Sequence, residues 1–291
     1  TTEGDFNLSR MSPFDAIQKA AEKKTIIGQL KKEFDFLTVP IGVATLIESG
    51  EVEANFTAQG EAIKLDKIDL TTETLSSKTI NAMQAATKEL CKNPSVTHIL
   101  INSFSRALAK AESNLIQSDA DETEASPRGW LYGLDAVSGT TDLGDDIASL
   151  VDAFEGNLAE SAFLMNSKTA FKSINFFHNA GINGDIGGVR LIANEFLDYD
   201  KIILVEPARI KLAEGGLIID KSSCASAFNP VSEIKIEGDP NTPENQLKLA
   251  QGRSAGALHA FQGNLELFRL TKYINTRAGA GSVAYLSGGT Y

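Results

Sequence analysis

Three histidines are the first residues to weigh for chemistry, because imidazole titrates near neutral pH and is the commonest metal ligand. His98, His178 and His259 stand apart from one another: no HExxH or HxH spacing holds two of them, and Cys91 and Cys224 form no CxxC pair. Partial exposure beside a helix end is the plain reading of His98 and His178. Gly181, Gly184, Gly187 and Gly188 crowd one short tract, as in loops that cradle phosphate. The tract reads GINGDIGG and fits neither GxGxxG nor the P-loop pattern. It also follows a helical pattern and precedes a strand pattern, the reverse of the order such loops need. A turn is the simpler reading. Asp142, Asp145 and Asp146 offer paired carboxylates for acid–base work or for a hard cation. They stand where a helix begins, and a carboxylate there caps free amides and meets the positive end of the helix dipole. Capping is therefore their expected role. The run Asp119, Asp121, Glu122, Glu124 reads as a solvated loop, and GxSxG is absent. No catalytic constellation, cofactor site or metal site emerges, so the chain is not expected to be an enzyme.

A chain of 291 residues fits one or two domains, and 42% hydrophobic content supports a real core. No apolar run approaches the roughly 18 residues needed to cross a bilayer. The opening TTEGDFNLSR is polar and does not read as a signal peptide. Starting at Thr1 fits proteolytic processing and fits removal of an initiator Met equally. The formal charge of −11 argues against a dedicated nucleic-acid binder, which needs a basic patch to displace counterions. It fits a soluble protein, or a wall that must not stick to DNA packed against it. Two distant cysteines are expected as buried thiols in a reducing cytoplasm rather than as a disulfide.

The elements that must position these residues follow from patterning. Residues 1–11 read as an arm. Ser12-Pro13 and Asp15 form a helix start, and Phe14, Ile17 and Ala21 share a face, which predicts a helix over 13–32. Residues 41–71 read as a long two-stranded hairpin, with alternation at Val52, Ala54 and Phe56. Their apolar content is too thin to bury both faces, so support from outside the subunit is expected. A short helix is predicted over 83–93. A long one is predicted over 96–117, from Ile101, Phe104, Leu108, Ala111 and Leu115 at spacings of three and four. From 142 the pattern is α/β. A helix carries Ile147, Leu150, Val151 and Phe154, and a buried strand covers 162–165. A helix opened by Asn166 and Ser167 carries Phe171, Ile174 and Phe177. Strands follow at 189–193, 202–205 and 217–219. Residues 237–256 read as a polar loop. The end is an extended ribbon, with Leu265, Phe268, Leu270 and Ile274 apolar, then a glycine break and a short strand at 283–286.

Three segments together resemble the major capsid proteins of tailed bacteriophages, the family with the Hong Kong 97-type fold. NFTAQGEAIKLDKIDLTTETLSSKTINAMQAATKEL is similar to the family's extended loop and return strand, with Phe56 in the aromatic place, Gly60-Glu61 in an inverted Glu-Gly place and Lys88-Glu89-Leu90 as helix signature. SRALAKAES, at 105–113, resembles the family's long spine helix. AFLMNSKTAFKSINFFHNAGI, at 162–182, resembles its axial-domain strand and helix. The terminal LFRLTKYINTRAGAGSVAYLSG resembles the peripheral ribbon and a last strand returning to the axial domain. Thr271-Lys272 depart from the acid–arginine pair usual in that ribbon, and the polar insert at 237–256 is long for the family.

The resemblance implies an α+β capsid fold in named parts. These are an N-terminal arm and helix at 1–34, an extended hairpin loop at 35–72, and a peripheral domain with the spine helix at 73–141. An axial domain follows at 142–232, a return to the peripheral domain at 233–279, and a last strand returning to the axial domain at 280–291. It implies a structural protein that assembles as pentamers and hexamers into an icosahedral shell around double-stranded DNA. Val52, Phe56, Glu61, Lys64, Lys67, Phe14 and Ile17 would touch neighbouring subunits. The partners it implies are the chain itself, portal, scaffolding and decoration proteins, and packaged DNA met without sequence specificity. The place it implies is the virion, with assembly in the bacterial cytoplasm. No cofactor, metal or membrane is implied. Some family members weld their shells by a lysine–asparagine bond. Loop lysines Lys64 and Lys67 and ribbon asparagines Asn264 and Asn275 are present, but no motif pairs them, and cross-linking is not expected. An encapsulin-like compartment of the same fold, holding a cargo enzyme, is the alternative. A cytosolic α/β enzyme is a third reading, disfavoured by the missing catalytic motif and the ribbon ending.

Overall fold

The computed structural model describes residues 19–20, 22–48, 56, 70–182, 184–224, 226–228, 257–259 and 264–291. The expected helix over 13–32 falls partly outside these residues, and the part inside is broken. Helical residues 22–24 stop at Thr25, and α1 runs over Ile26–Glu33. Thr25 is extended, and its hydroxyl oxygen accepts from the Gly28 amide at 3.2 Å, which caps the new helix. The bend brings Glu22 so close to Gly28 that a Cβ there would lie 2.4 Å from the Glu22 carbonyl oxygen. Only glycine fits.

The strands, in order, are β1 Leu37–Thr38, β2 Ala44–Glu48, β3 Leu70–Thr74 and β4 Thr79–Thr87. Helix α2, Pro94–Ile116, follows, then β5 Val137–Ser138 and α3 Leu143–Asp152. Next come β6 Ala162–Asn166, α4 Ser167–Lys172, β7 Asp185–Ile186, β8 Val189–Asn194 and β9 Ile202–Val205. The chain continues through β10 Ile210–Ser222, β11 Ser226–Phe228, β12 Ala257–His259, β13 Leu265–Ala278 and β14 Val283–Ser287. Four strands form a sheet in the order β1-β10-β13-β4, and six form another in the order β5-β14-β9-β6-β8-β7. β2 and β3 pair antiparallel in register Ala44↔Thr74 to Glu48↔Leu70, which places the two ends of the expected hairpin.

Two compact units divide the chain. The first comprises Thr1–Ala21, Asn81–Leu108 and Leu217–Thr271. The second comprises Glu22–Ile80, Ala109–Gly216 and Lys272–Tyr291. In the second unit the central strands β6 and β9 of the six-stranded sheet are buried along their whole length, and they read as nearly unbroken apolar runs for that reason. Alternate residues of β6 and β9 serve opposite faces. Ala162, Leu164, Ile203 and Val205 pack with α1, Trp130 and Ile274, whereas Phe163, Met165, Ile202 and Leu204 pack with α3 through Leu143, Ile147 and Leu150.

Several local expectations change. Residues 83–93 form no α-helix; β4 occupies 79–87, and a 3-10 turn follows at Leu90–Lys92. The alanine, methionine and glutamine content favours helix, but pairing beside β13 in the sheet overrides it. In α2 the fully buried positions include Phe104, Leu108, Ala109, Glu112 and Ile116, so the stripe is rotated from the one read in the sequence. The helix opened by Asn166 is only one and a half turns long, and Phe171 and Ile174 are exposed instead of packed. The strand read at 217–219 is part of the longer β10. Cys91 is half-buried and Cys224 exposed, so neither is the buried thiol expected.

Candidate functional site

In the described residues the catalytic candidates take structural places. Asp142 caps α3, its Oδ1 accepting from the Gly144 amide at 2.8 Å. Asp146 is buried and accepts from the Thr140 amide and hydroxyl, both at 2.8 Å, and from the Tyr291 hydroxyl. Burial first, then Asp146, pushes the Tyr291 phenol up. Asp145 lies exposed in the first turn of α3. Gly187 and Gly188, with φ of 61° and 88°, make the two-residue turn between β7 and β8, a backbone that L-residues resist. His98 and His178 are exposed. No group of three or more His, Cys, Asp or Glu side chains among the described residues is placed to hold a metal ion, and no described helix is long and apolar enough to cross a membrane.

Of the contact candidates, Val52, Glu61, Lys64, Lys67, Phe14 and Ile17 lie outside the described residues. Phe56 is described and wholly exposed. What the structure does show is how the base of the hairpin is held. Leaving β3, Leu75 is buried against Val39, Ala213 and Ile41, and its carbonyl accepts from the Gly42 amide at 2.8 Å. On β3 itself, Glu73 pairs with both Lys211 of β10 and Arg277 of β13. Arg277 also bonds Glu122 at 2.8 Å, and Glu122 lies 3.3 Å from Lys78. Lys78 is nearly buried, and its ammonium donates to the Thr123 carbonyl at 2.6 Å. Five charges of alternating sign thus run from the hairpin base through two strands into the loop that was read as merely solvated. Burial alone would raise the Glu73 carboxyl, but hydrogen bonds and charge from Lys211 and Arg277 outweigh it and hold it below the usual range. Glu122 is likewise lowered, burial being outweighed by Lys78 and Arg277.

A second cluster pins α2. Glu112 is fully buried and pairs with Lys272 at 2.7 Å, and Lys272 also reaches Glu214 at 2.8 Å. Lys31 of α1 completes the set on Glu214. Burial disfavours the Lys272 ammonium, yet Glu112 and Glu214 together raise its pKa to about 12. Lys272 stands where the sequence departed from the resembled pattern. Asn275, weighed for cross-linking, is buried, with its amide donating to the Ser76 carbonyl at 2.7 Å.

Sequence reading missed the most exposed apolar tract. Phe171, Ile174, Phe176 and Ile182 are 66%, 45%, 48% and 57% exposed, all within the segment 171–182. Soluble monomers seldom present so many large apolar side chains together. α4 ends at Lys172 and passes into a 3-10 turn at Ser173–Asn175, so its face does not extend to Phe176 and Ile182. Elsewhere in the same unit a cleft of about 380 Å³ opens between α2 and residues 120–127, lined by Ile80, Ala111, Leu115, Pro127 and Ile274.

A model of the phage capsid family matches residues 15–180, more than half of the chain. No curated protein matches it. Among solved structures, the fold is similar to the capsid of an empty GTA particle, at 14% identity and TM-score 0.55 over 90% of this chain and 89% of that one. It is similar to a chain of Mycobacterium phage Adephagia, at 11% identity and TM-score 0.55 over 92% and 91%. It is similar also to a virus-like particle from Pyrococcus furiosus, at 12% identity and TM-score 0.51 over 94% and 97%. At these identities the likeness is one of fold.

Proposed function

Because the chain belongs to the phage capsid family and has its α+β Hong Kong 97-type fold, we propose that it is the major capsid protein of a tailed bacteriophage, assembling as pentamers and hexamers into an icosahedral shell around double-stranded DNA. A capsid shell protein is structural, associates with itself and resides in the virion. In the finer reading, residues 142–232 form the domain nearest the capsomer axis, and the hairpin at 41–71 and the arm at 1–30 reach neighbouring subunits. Phe14, Ile17, Val52, Phe56, Glu61, Lys64 and Lys67 are their contact residues. Assembly takes place in the host cytoplasm with scaffolding, portal and decoration partners. Packaged DNA meets the inner wall without sequence-specific contacts.

The observation that carries this reading is the exposed tract at Phe171, Ile174, Phe176 and Ile182. One copy leaves these side chains in water, and a closed ring of copies covers them. The wholly exposed Phe56 gives the hairpin a similar reason to meet a second copy. Symmetric repetition then turns modest contacts into large collective stability.

The test is electron microscopy of the purified native protein and of a chain lacking residues 45–66. The native protein should form closed polyhedral shells that contain DNA. The deletion should give folded capsomers or subunits and no closed shells. Normal shells from the deleted chain would remove the hairpin's role. Native shells filled with a protein would favour the encapsulin-like compartment. Small discrete oligomers alone would overturn the shell reading.

A further inference from the structure

We propose that Glu73 is the positioning residue of the β2–β3 hairpin base: its paired salt bridges to Lys211 and Arg277 lock that base to the sheet at neutral pH and release it on acidification. This rests on the reading that the hairpin reaches a neighbouring copy. A two-stranded ribbon has little stability alone, and its direction is set by how its base is fixed. On one side the fixing is apolar, through Leu75 in the cluster with Val39, Ile41 and Ala213. On the other it is ionic, and Glu73 is the only member of the ionic chain that lies on a hairpin strand. In the pairing, Glu73 stands opposite Thr45 of β2, so one side chain holds both strands through the ladder.

The charged groups facing Glu73 are Lys211 from β10 and Arg277 from β13; behind Arg277 stand Glu122 of the 119–128 loop and Lys78 of the β3–β4 connection. Both cations stay charged across the acidic range, so the carboxylates decide the state of the lock. Glu73 and Glu122 both lie below the ordinary carboxylate pKa. A depressed carboxylate stabilises the fold fully above its unfolded value, near 4.5 for glutamate. That contribution is lost as pH falls through the folded value, which lies lower. The lock therefore holds at pH 7 and is lost only as pH falls below the ordinary glutamate value of 4.5 and through the lowered value of the folded chain.

The test is amide hydrogen exchange on the full-length, unassembled chain, comparing wild type with Glu73→Gln. The substitution keeps the shape and removes the charge. At pH 7 it should speed exchange in Ala44–Glu48 by about tenfold or more, leaving Ile202–Val205 unchanged. Wild type should approach the variant's relative protection as pH falls below 4.5 and through the lowered value of Glu73. Lys211→Gln, which leaves Arg277 in place, should give a smaller rise in the same strand, and it serves if the first variant does not fold. Equal protection of 44–48 in both chains at pH 7 would sink the proposal. So would a uniform rise that includes 202–205, since that reports general destabilisation. The exchange result does not depend on assembly. Normal shells from the chain lacking 45–66 would end the neighbour-reaching role and leave the lock to be judged on its own measurement.

Discussion

Lys272 and Glu112 show how a residue's surroundings set the sign of its effect. A fully buried carboxylate with one strong cationic partner is stable only while that partner is present. Lys272→Ala should therefore cost about 3–5 kcal/mol, because it strips the fully buried Glu112, whose carboxyl burial already pushes up, of its cationic partner. The paired replacement Glu112→Leu with Lys272→Leu should recover part of the loss, since apolar residues of similar size often match a buried ion pair while Glu214 keeps Lys31 as its remaining partner. Urea denaturation of the three chains measures both, and a double variant no better than the single one would show that the pair is not the reason Lys272 is there. Neither half of this pair stood out in the sequence: Glu112 lies beside the stripe Phe104, Leu108, Ala111, Leu115 and carries no local sign of burial. Its partner lies 160 positions away, on a strand whose alternation is imperfect, and no local pattern links the two. The ion pairs of Glu73 were hidden for the same reason, because strand order and not sequence spacing brings β3, β10 and β13 together.

Elements were read best where local chemistry and tertiary packing agree. The α3 start at Asp142, the strands at 162–166 and 202–205, and the terminal ribbon stand close to where capping and apolar runs put them. Asp142→Ala should lower stability by about 1 kcal/mol through loss of the cap, whereas Asp142→Asn should cost much less because the amide oxygen still accepts from Gly144. Thermal melting separates the two, and equal losses would mean that charge, not capping, matters at this position. Reading failed where packing overrode propensity. Residues 79–87 have the composition of a helix and the alternating burial of a strand. The rotated stripe on α2 has a similar origin: Ala111 and Leu115 are apolar in pattern, but they line an open cleft instead of the core. α4 fails in the opposite sense. Phe171, Ile174 and Phe177 have helical spacing, yet the helix stops at Lys172, and the first two point to water.

At the scale of the whole molecule, the balance of surface charge and exposed apolar area decides what the chain does with copies of itself. A net charge of −11 keeps separate subunits apart and makes the surface a poor polyanion binder. Self-association must then come from specific apolar contacts that outweigh this repulsion, and among the described residues the tract at Phe171, Ile174, Phe176 and Ile182 is the largest such group within one segment. The triple change Phe171→Ser, Ile174→Ser and Phe176→Ser removes apolar area that one subunit does not bury. It should therefore leave the melting temperature of the separated subunit nearly unchanged, as exposed substitutions usually shift stability by no more than about 0.5 kcal/mol each. In the proposed ring the same side chains would be withdrawn from water, at about 25 cal/mol per Å² of apolar area, and the loss would recur at every copy. Sedimentation velocity at matched concentration should show folded single subunits where the unaltered chain forms capsomers and shells. Higher salt screens the acidic repulsion and should restore part of the assembly of the unaltered chain at low concentration, but not that of the triple variant. Shells of normal size from the triple variant would place the decisive contacts elsewhere, with the hairpin and arm as the next surfaces to change.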